Sequence, residues 1–238
     1  DAKTTLPGQP LPTDDADSII GNDGNDSLDG GTGNDTLVGG IGNDTYTIEG
    51  NDVLVEDLNG GTDTVVSKSK VVLGANFENL VISGLNDAAG TGNELNNQIS
   101  GNKGANVLKG LNGNDSIDGG VGADVLFGGN NDDRLNGGSE NDILWGDAGN
   151  DIMSGGLGHD MFMFKTGFGS DKIDDFTAGA LTEDVLDFTA MGINLAALSI
   201  TSTAGGASTR ITVTATGDTI LLAGVAFGTL NTADDLLF

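Results

Sequence analysis

The dominant pattern in the chain is a nine-residue alternation of turn-forming and apolar positions. From Pro12 the chain reads PTDDADSII, GNDGNDSLD, GGTGNDTLV and GGIGNDTYT, ending at Thr47. From Gly92 it reads GNELNNQIS, GNKGANVLK, GLNGNDSID, GGVGADVLF, GGNNDDRLN, GGSENDILW, GDAGNDIMS and GGLGHDMFM, ending at Met163. The unit is G-G-x-G-x-D-x-U-x, with a large apolar residue at U. That position holds Ile19, Leu28, Leu37 and Tyr46 in the first array. In the second it holds Ile99, Leu108, Ile117, Leu126, Leu135, Leu144, Met153 and Phe162. With 37% of the chain apolar, so many apolar residues in one phase would arise by chance about once in 10⁵. The two arrays are out of phase by one residue.

The piece x-U-x is too short for a helix and long enough for a short strand. Its central side chain points inward and its neighbours point out. The other six positions form a turn, with glycine where positive φ or close backbone approach is needed. Strand and turn repeated in this way alternate between two sheets, so two units complete one coil. One apolar side chain per strand gives a thin core, stable only when several coils stack.

Composition then narrows the chemistry. The 238 residues carry 36 acidic and 9 basic side chains, a net charge of −27, with 41 glycines, no cysteine and one histidine. Scattered, such a composition would read as a disordered acidic tail; in phase, acid and glycine each have a structural place. The charge disfavours nucleic acid and anionic membrane surfaces. Without cysteine there is no disulfide framework or thiolate metal site, and one histidine excludes a three-histidine centre. No apolar run is long enough for a transmembrane helix, so no membrane insertion is expected.

Stacked coils also pose an electrostatic problem. Loops two units apart lie about 4.8 Å from each other, and position 6 is aspartate in all but two units, where Asn97 and Asn106 replace it. Like charges that close repel by kilocalories per mole at modest dielectric. A cation between successive loops reverses the sign, and carboxylates plus turn carbonyls are the oxygen donors that Ca²⁺ takes.

At these residues the sequence resembles the repeats-in-toxin (RTX) family, the calcium-binding nonapeptide-repeat region of type I secreted proteins. The resemblance implies an all-β fold: a right-handed parallel β-roll in two repeat blocks, joined by an irregular β-solenoid segment and closed by a β-rich C-terminal cap. It also implies how Ca²⁺ is held. One loop gives the carbonyls of positions 2 and 4 and its carboxylate; the loop two units on gives the carbonyls of positions 1 and 3 and its own carboxylate. On this chain Asp17 then pairs with Gly30, Thr32 and Asp35, and Asn22, Gly24 and Asp26 pair with Gly39, Ile41 and Asp44. Leu111, Gly113 and Asp115 pair with Gly128, Asn130 and Asp133, while Gly120, Gly122 and Asp124 pair with Gly137, Ser139 and Asp142. Gly129, Asn131 and Asp133 pair with Gly146, Ala148 and Asp151. Gly138, Glu140 and Asp142 pair with Gly155, Leu157 and Asp160. These are six sites with both carboxylates, and the family resemblance of FGSDKIDDF lets Asp171 and Asp175 complete a last one. Asn97 and Asn106 weaken the sites they share with Asp115 and Asp124. Asn131 and Glu140 replace glycine at position 4, and glutamate tolerates a left-handed backbone poorly.

The expected division is a proline-containing linker over 1–11, a first repeat block over 12–47, a non-repeat solenoid segment over 48–91, a second block over 92–164, and a capping and secretion-signal region over 165–238. In the last, Ile211–Val213 and Ile220–Leu222 flank Thr216-Gly217-Asp218 as a hairpin. AGVAFGTLNTADDLLF resembles the C-terminal signal of type I exported proteins, and a passenger is expected upstream of Asp1. No nucleophile elbow, phosphate loop or usable histidine is present, so no catalytic residue is assigned. The family implies a secreted calcium-binding module that folds on Ca²⁺ outside the cell, with a type I secretion apparatus as partner. The alternative is a Ca²⁺-dependent module that binds extracellular polysaccharide or a cell surface.

Overall fold

The computed structural model describes residues 16–178 and 183–238; the expected linker over 1–11 and the start of the first repeat lie outside them. The described chain is all-β apart from two short 3-10 turns, Thr189–Met191 and Leu195–Ala197. Its strands stack in parallel with a register of eighteen residues through the second array. Leu108 lies beside Leu126, Leu126 beside Leu144, and Leu144 beside Phe162. Ile117, Leu135 and Met153 do the same on the opposite side. Two nonapeptides therefore make one coil, and the fold is a parallel β-solenoid consistent with a β-roll.

The strands are longer than the three residues expected. Val107–Asn112, Ser116–Val121 and Val125–Asn130 each run through positions 7, 8, 9, 1, 2 and 3. Pairing skips only position 1: Lys109 matches Phe127, then Leu111 matches Gly129. The position-1 glycine bends the ladder at that corner without ending it, so only positions 4 to 6 form the turn.

The two faces differ. One is a single twelve-stranded sheet from Ser27–Asp29 to the cap; the other is cut into sheets of three and eight strands. The cut falls between Val53–Val55 and Val71–Val72 in the middle segment. That segment continues the solenoid: Thr64–Ser67 pairs in parallel with Thr45–Ile48 and with Asn79–Ile82.

The core is one file of side chains between the two faces. Every repeat position U is buried except Ile19, which is half-buried at the first coil. Each buried side chain of this size contributes about 1.5–3 kcal/mol, so stability accrues coil by coil. At the C-terminal end the core turns aromatic, with Phe164 against Phe168 at 4.8 Å and against Phe188 at 5.3 Å between ring centroids. The expected hairpin is present as Thr209–Val213 and Thr219–Leu222, antiparallel. Thr219–Leu222 also pairs in parallel with Ser170–Ile173, the last strand of the roll on that face. Leu198–Ser202 then covers the hairpin, and Leu236–Leu237 closes the other face against Val185–Asp187.

Candidate metal centres

Most strands of the roll begin just beyond an acidic or amide residue, and these residues form two rows. In each row, one carboxylate oxygen accepts the backbone N–H of the row residue one coil before. Asp115 donates its N–H to Asp133 Oδ1 at 2.8 Å, Asp133 to Asp151 at 2.8 Å, and Asp151 to Asp171 at 3.0 Å. The same row runs earlier through Asp26, Asp44, Asp63 and Glu78. The second row holds Asn106, Asp124, Asp142, Asp160 and Asp184, and before the cut, Asp17, Asp35 and Asp52. The first row borders the continuous sheet; the second is interrupted where its sheet is cut.

The other oxygen of each carboxylate is left over. Oδ2 of Asp26, Asp35, Asp44, Asp63, Asp115, Asp124, Asp133, Asp142, Asp151, Asp160 and Asp171 is buried with no hydrogen-bond partner. A buried unpaired carboxylate oxygen is costly, and the position-1 glycines show where these point. A methyl group on Gly110, Gly119, Gly128 or Gly137 would sit 2.1–2.4 Å from Oδ2 of the aspartate in its own unit. It would also sit 2.5–2.7 Å from the position-1 carbonyl of the next coil, that of Gly128, Gly137, Gly146 or Gly155. Gly21 has the same setting, with Asp26 Oδ2 and the Gly39 carbonyl both at 2.6 Å. Gly30, Gly146 and Gly155 crowd Asp35, Asp151 and Asp160 likewise. Glycine is needed here for space, which the converging oxygens occupy.

The remaining carbonyls follow the same logic. Those of Asn22, Leu111 and Gly120 at position 2 face Gly40, Gly129 and Gly138 of the next coil. Those of Gly24, Asn131 and Glu140 at position 4 face Gly42, Gly149 and Gly158. At position 3, the carbonyls of Ile41, Ser139 and Ala148 accept N–H groups of Gly24, Gly122 and Asn131. Asn131 and Glu140 adopt the left-handed backbone of the glycines they replace, with φ of 79° and 81°, so the departure from glycine appears as strain and the carbonyls keep their direction. Leu111 carries the same strain at position 2, with φ of 89°.

Asn97 and Asn106 show what satisfies such a position without an ion. The Asn97 amide nitrogen donates to the carbonyls of Phe77 and Glu78 at 3.0 and 3.2 Å, and its oxygen accepts the Asn93 N–H at 2.7 Å. Asn106 accepts from Asn102 at 2.8 Å and donates to Asn102 Oδ1 at 3.2 Å. An amide brings its own donor; an ionised carboxylate brings none. The aspartates therefore fit a row of oxygen-ligated cations, and their donor set suits Ca²⁺.

Burial pushes these carboxyls up. Asp115, Asp124 and Asp151 rise to about 6, Asp142 to about 7, and Asp133 and Asp171 to about 8. Row neighbours add to burial: Asp151 and Asp115 act on Asp133, and Asp124 and Asp160 act on Asp142, while the accepted N–H pulls the other way.

Asp171 and Asp175 do not come together. Asp171 extends the first row, whereas Asp175 lies beside Asp160 and Asp184, whose carboxyls its charge raises. Its oxygens accept from Ser154 and from the N–H groups of Gly155 and Gly156, at 2.5, 3.0 and 2.8 Å. Asp52, Asp63 and Asp184 are row members outside the nonapeptides. Each keeps the D-x-U half of the unit, in Asp52-Val53-Leu54, Asp63-Thr64-Val65 and Asp184-Val185-Leu186.

Comparison with known proteins places the repeats. Residues 12–46, 91–126 and 127–162 match the family described as RTX calcium-binding nonapeptide repeat. No curated protein matches the chain. Among solved structures, the chain is similar to the AlgE6R3 and AlgE6R2 subunits of the Azotobacter vinelandii mannuronan C5-epimerase. Both are 26% identical with a TM-score of 0.40, over 61% and 63% of this chain and 79% and 91% of theirs. The extracellular lipase LipA from Serratia marcescens is 18% identical with a TM-score of 0.33, over 96% of this chain and 39% of that one.

Proposed function

Because the chain carries RTX calcium-binding nonapeptide repeats, we propose that it is a non-catalytic, calcium-driven folding module of an exported protein. The observation that carries this reading is the two rows of buried Oδ2 atoms without partners. Each row oxygen, with the carbonyls converging on it, holds one side of a Ca²⁺ site; the ion supplies the positive charge that lets stacked carboxylates stay ionised. Six ions in the fully paired sites would offset twelve of the 27 negative charges. Where Ca²⁺ is scarce, repulsion keeps the chain open, as passage through a secretion channel requires. Outside the cell, at roughly millimolar Ca²⁺, binding free energy becomes folding free energy and the roll closes against its cap. Circular dichroism in chelator and in Ca²⁺ tests this: β structure only with Ca²⁺ is expected, and identical spectra would refute it.

A second reading, attachment to an anionic polysaccharide, rests on one groove of about 310 Å³. It is lined by Phe127, Lys109 and Lys165, and the Phe127 ring stacks with Trp145 at 6.2 Å. Lys109 lies over Phe127 at 5.0 Å. Lys165 is paired there with Asp147 at 2.5 Å; the stacked rings with the Lys109 cation suit a uronate chain. Affinity electrophoresis in polyuronate gels with Ca²⁺, comparing the wild type with Lys109→Glu, checks it; equal mobility shifts would exclude the groove.

A further inference from the structure

Where the first repeat block meets the middle segment, the coil breaks the rule of the others. Val38 pairs with Val55, which brings Glu56 beside Gly39, where a regular coil would place its next position-1 glycine. In regular coils the space above a position-1 glycine holds an aspartate Oδ2 and a main-chain carbonyl. Above Gly39 it holds Asp44 Oδ2, Glu56 Oε2 and the Tyr46 hydroxyl. A side-chain carboxylate has taken the place of the carbonyl.

Asp63 completes the group: ligand oxygens of Asp44, Glu56 and Asp63 all lie within 4.8 Å of one another. All three residues are buried, and Oδ2 of both Asp44 and Asp63 has no hydrogen-bond partner. None of the ion pairs among the described residues reaches them. Three carboxylates converging in a buried space are strongly unfavourable without a cation. The rest of the setting is built around the group. The Asp57 N–H binds Glu56 Oε1 at 2.9 Å, Asn76 holds the Glu56 carbonyl at 3.0 Å, and the Asp44 N–H binds Asp63 Oδ1 at 2.7 Å. The Tyr46 hydroxyl reaches both Glu56 Oε2 and the Val55 carbonyl. It donates its one hydrogen to Glu56 Oε2, and the lone pairs left on the hydroxyl oxygen can face an ion.

We propose that Asp44, Glu56 and Asp63, with the Tyr46 hydroxyl, form a further Ca²⁺ site, outside the nonapeptide pattern. It shares Asp44 with the neighbouring Asp26–Asp44 site and has three carboxylates where the repeat sites have two. Hard oxygen donors and higher ligand charge make it a tighter site than its neighbours. It holds the junction at which the second carboxylate row stops. This rests on the reading of the chain as a calcium-folded roll.

Tyr46 is the single tyrosine of the chain and Trp145 the single tryptophan. In full-length protein carrying Trp145→Phe, terbium emission excited through tyrosine absorption therefore reports an ion beside Tyr46. The expected result is strong emission that is displaced by Ca²⁺. Asp118→Asn, at an exposed aspartate outside both carboxylate rows, should retain it. Glu56→Gln, which keeps an acceptor for the Tyr46 hydroxyl, should weaken terbium binding on the order of tenfold and remove one ion from the Ca²⁺ count after equilibrium dialysis. Asp63→Asn should do the same. Emission and ion count unchanged in both variants, while Ca²⁺ still folds them, would overturn this site alone. A wild-type chain that neither folds with Ca²⁺ nor binds it would overturn both this site and the broader reading.

Discussion

In calcium-free solution, acid is expected to stabilise the roll. The perturbation is pH alone, in chelator. At pH 7, Asp133 and Asp171, raised to about 8, hold nearly one proton each, and Asp142, raised to about 7, holds half of one. Asp63, Asp115, Asp124, Asp151 and Asp184, raised to about 6, hold about a tenth each. The fold then carries about three protons that the unfolded chain does not, since its carboxyls titrate near 3.8. Because the folded pKa values lie above the unfolded one, this stabilisation is complete below pH 3.8 and is lost as pH rises through the folded values, from about 6 to about 8. Through neutrality the slope is on the order of −4 kcal/mol per pH unit, enough to move a domain from folded to unfolded within two units. Ca²⁺ reverses the sign: a bound ion holds the same carboxyls ionised, so the calcium-loaded roll loses ions and stability as pH falls. Thermal melts by circular dichroism across a pH series, with chelator and with Ca²⁺, read both branches. A chelated chain whose melting temperature rises from about pH 5 to about pH 8, parallel to the calcium branch, would refute the assignment of these buried carboxyls.

The position-1 glycines should be the least replaceable in the repeats. Gly128→Ala would put a methyl 2.3 Å from Asp133 Oδ2 and 2.7 Å from the Gly146 carbonyl, costing about 1–3 kcal/mol and at least one ion by calorimetry. Gly74→Ala, whose nearest neighbours stand at 3.7 Å, should leave both unchanged. Leu111→Gly removes a left-handed leucine and should raise calcium-bound stability by about 1 kcal/mol, seen as a higher melting temperature at unchanged ion count. Asn106→Asp exchanges a self-satisfied amide for an orphaned oxygen. It should add one ion to the calorimetric count; an unchanged count would show that the amide and the carboxylate are equivalent there.

The nine-residue phase made the coil, the two-sided roll and the core file legible from Leu28 to Phe162, because strand, turn and burial all repeat with it. It also marked the aspartates that form most of the two rows. Elsewhere the spacing changes. Asp35 meets Asp52 after 17 residues, Asp44 meets Asp63 after 19, and Asp160 meets Asp184 after 24. Changes of loop length, shorter or longer, leave strand register intact, so such pairs are fixed by pairing and are invisible to a fixed period. The D-x-U triplet survives at Asp52, Asp63 and Asp184 and is the signal by which they could be found. Glu56 has no such mark. It acts from a glycine's position through a side chain, and only the register of Val38 with Val55 places it. Asp175 lies four residues from Asp171 in sequence but takes different partners: Asp171, within strand Ser170–Ile173, accepts the Asp151 N–H, whereas Asp175, past the end of that strand, accepts from Ser154, Gly155 and Gly156.

The unequal faces of the roll make it a beam with one whole flange and one cut flange. Ladder hydrogen bonds run along the axis, so a pull on the two ends loads them coil after coil. Through most of the length two sheets share that load. Between Val53–Val55 and Val71–Val72 a single sheet carries it, at strands Thr45–Ile48, Thr64–Ser67 and Asn79–Ile82. Bending and rupture concentrate there, and the two repeat blocks on either side remain whole. The middle segment is thus the weak link in tension, and a cation clamped by Asp44, Glu56 and Asp63 sits at its edge.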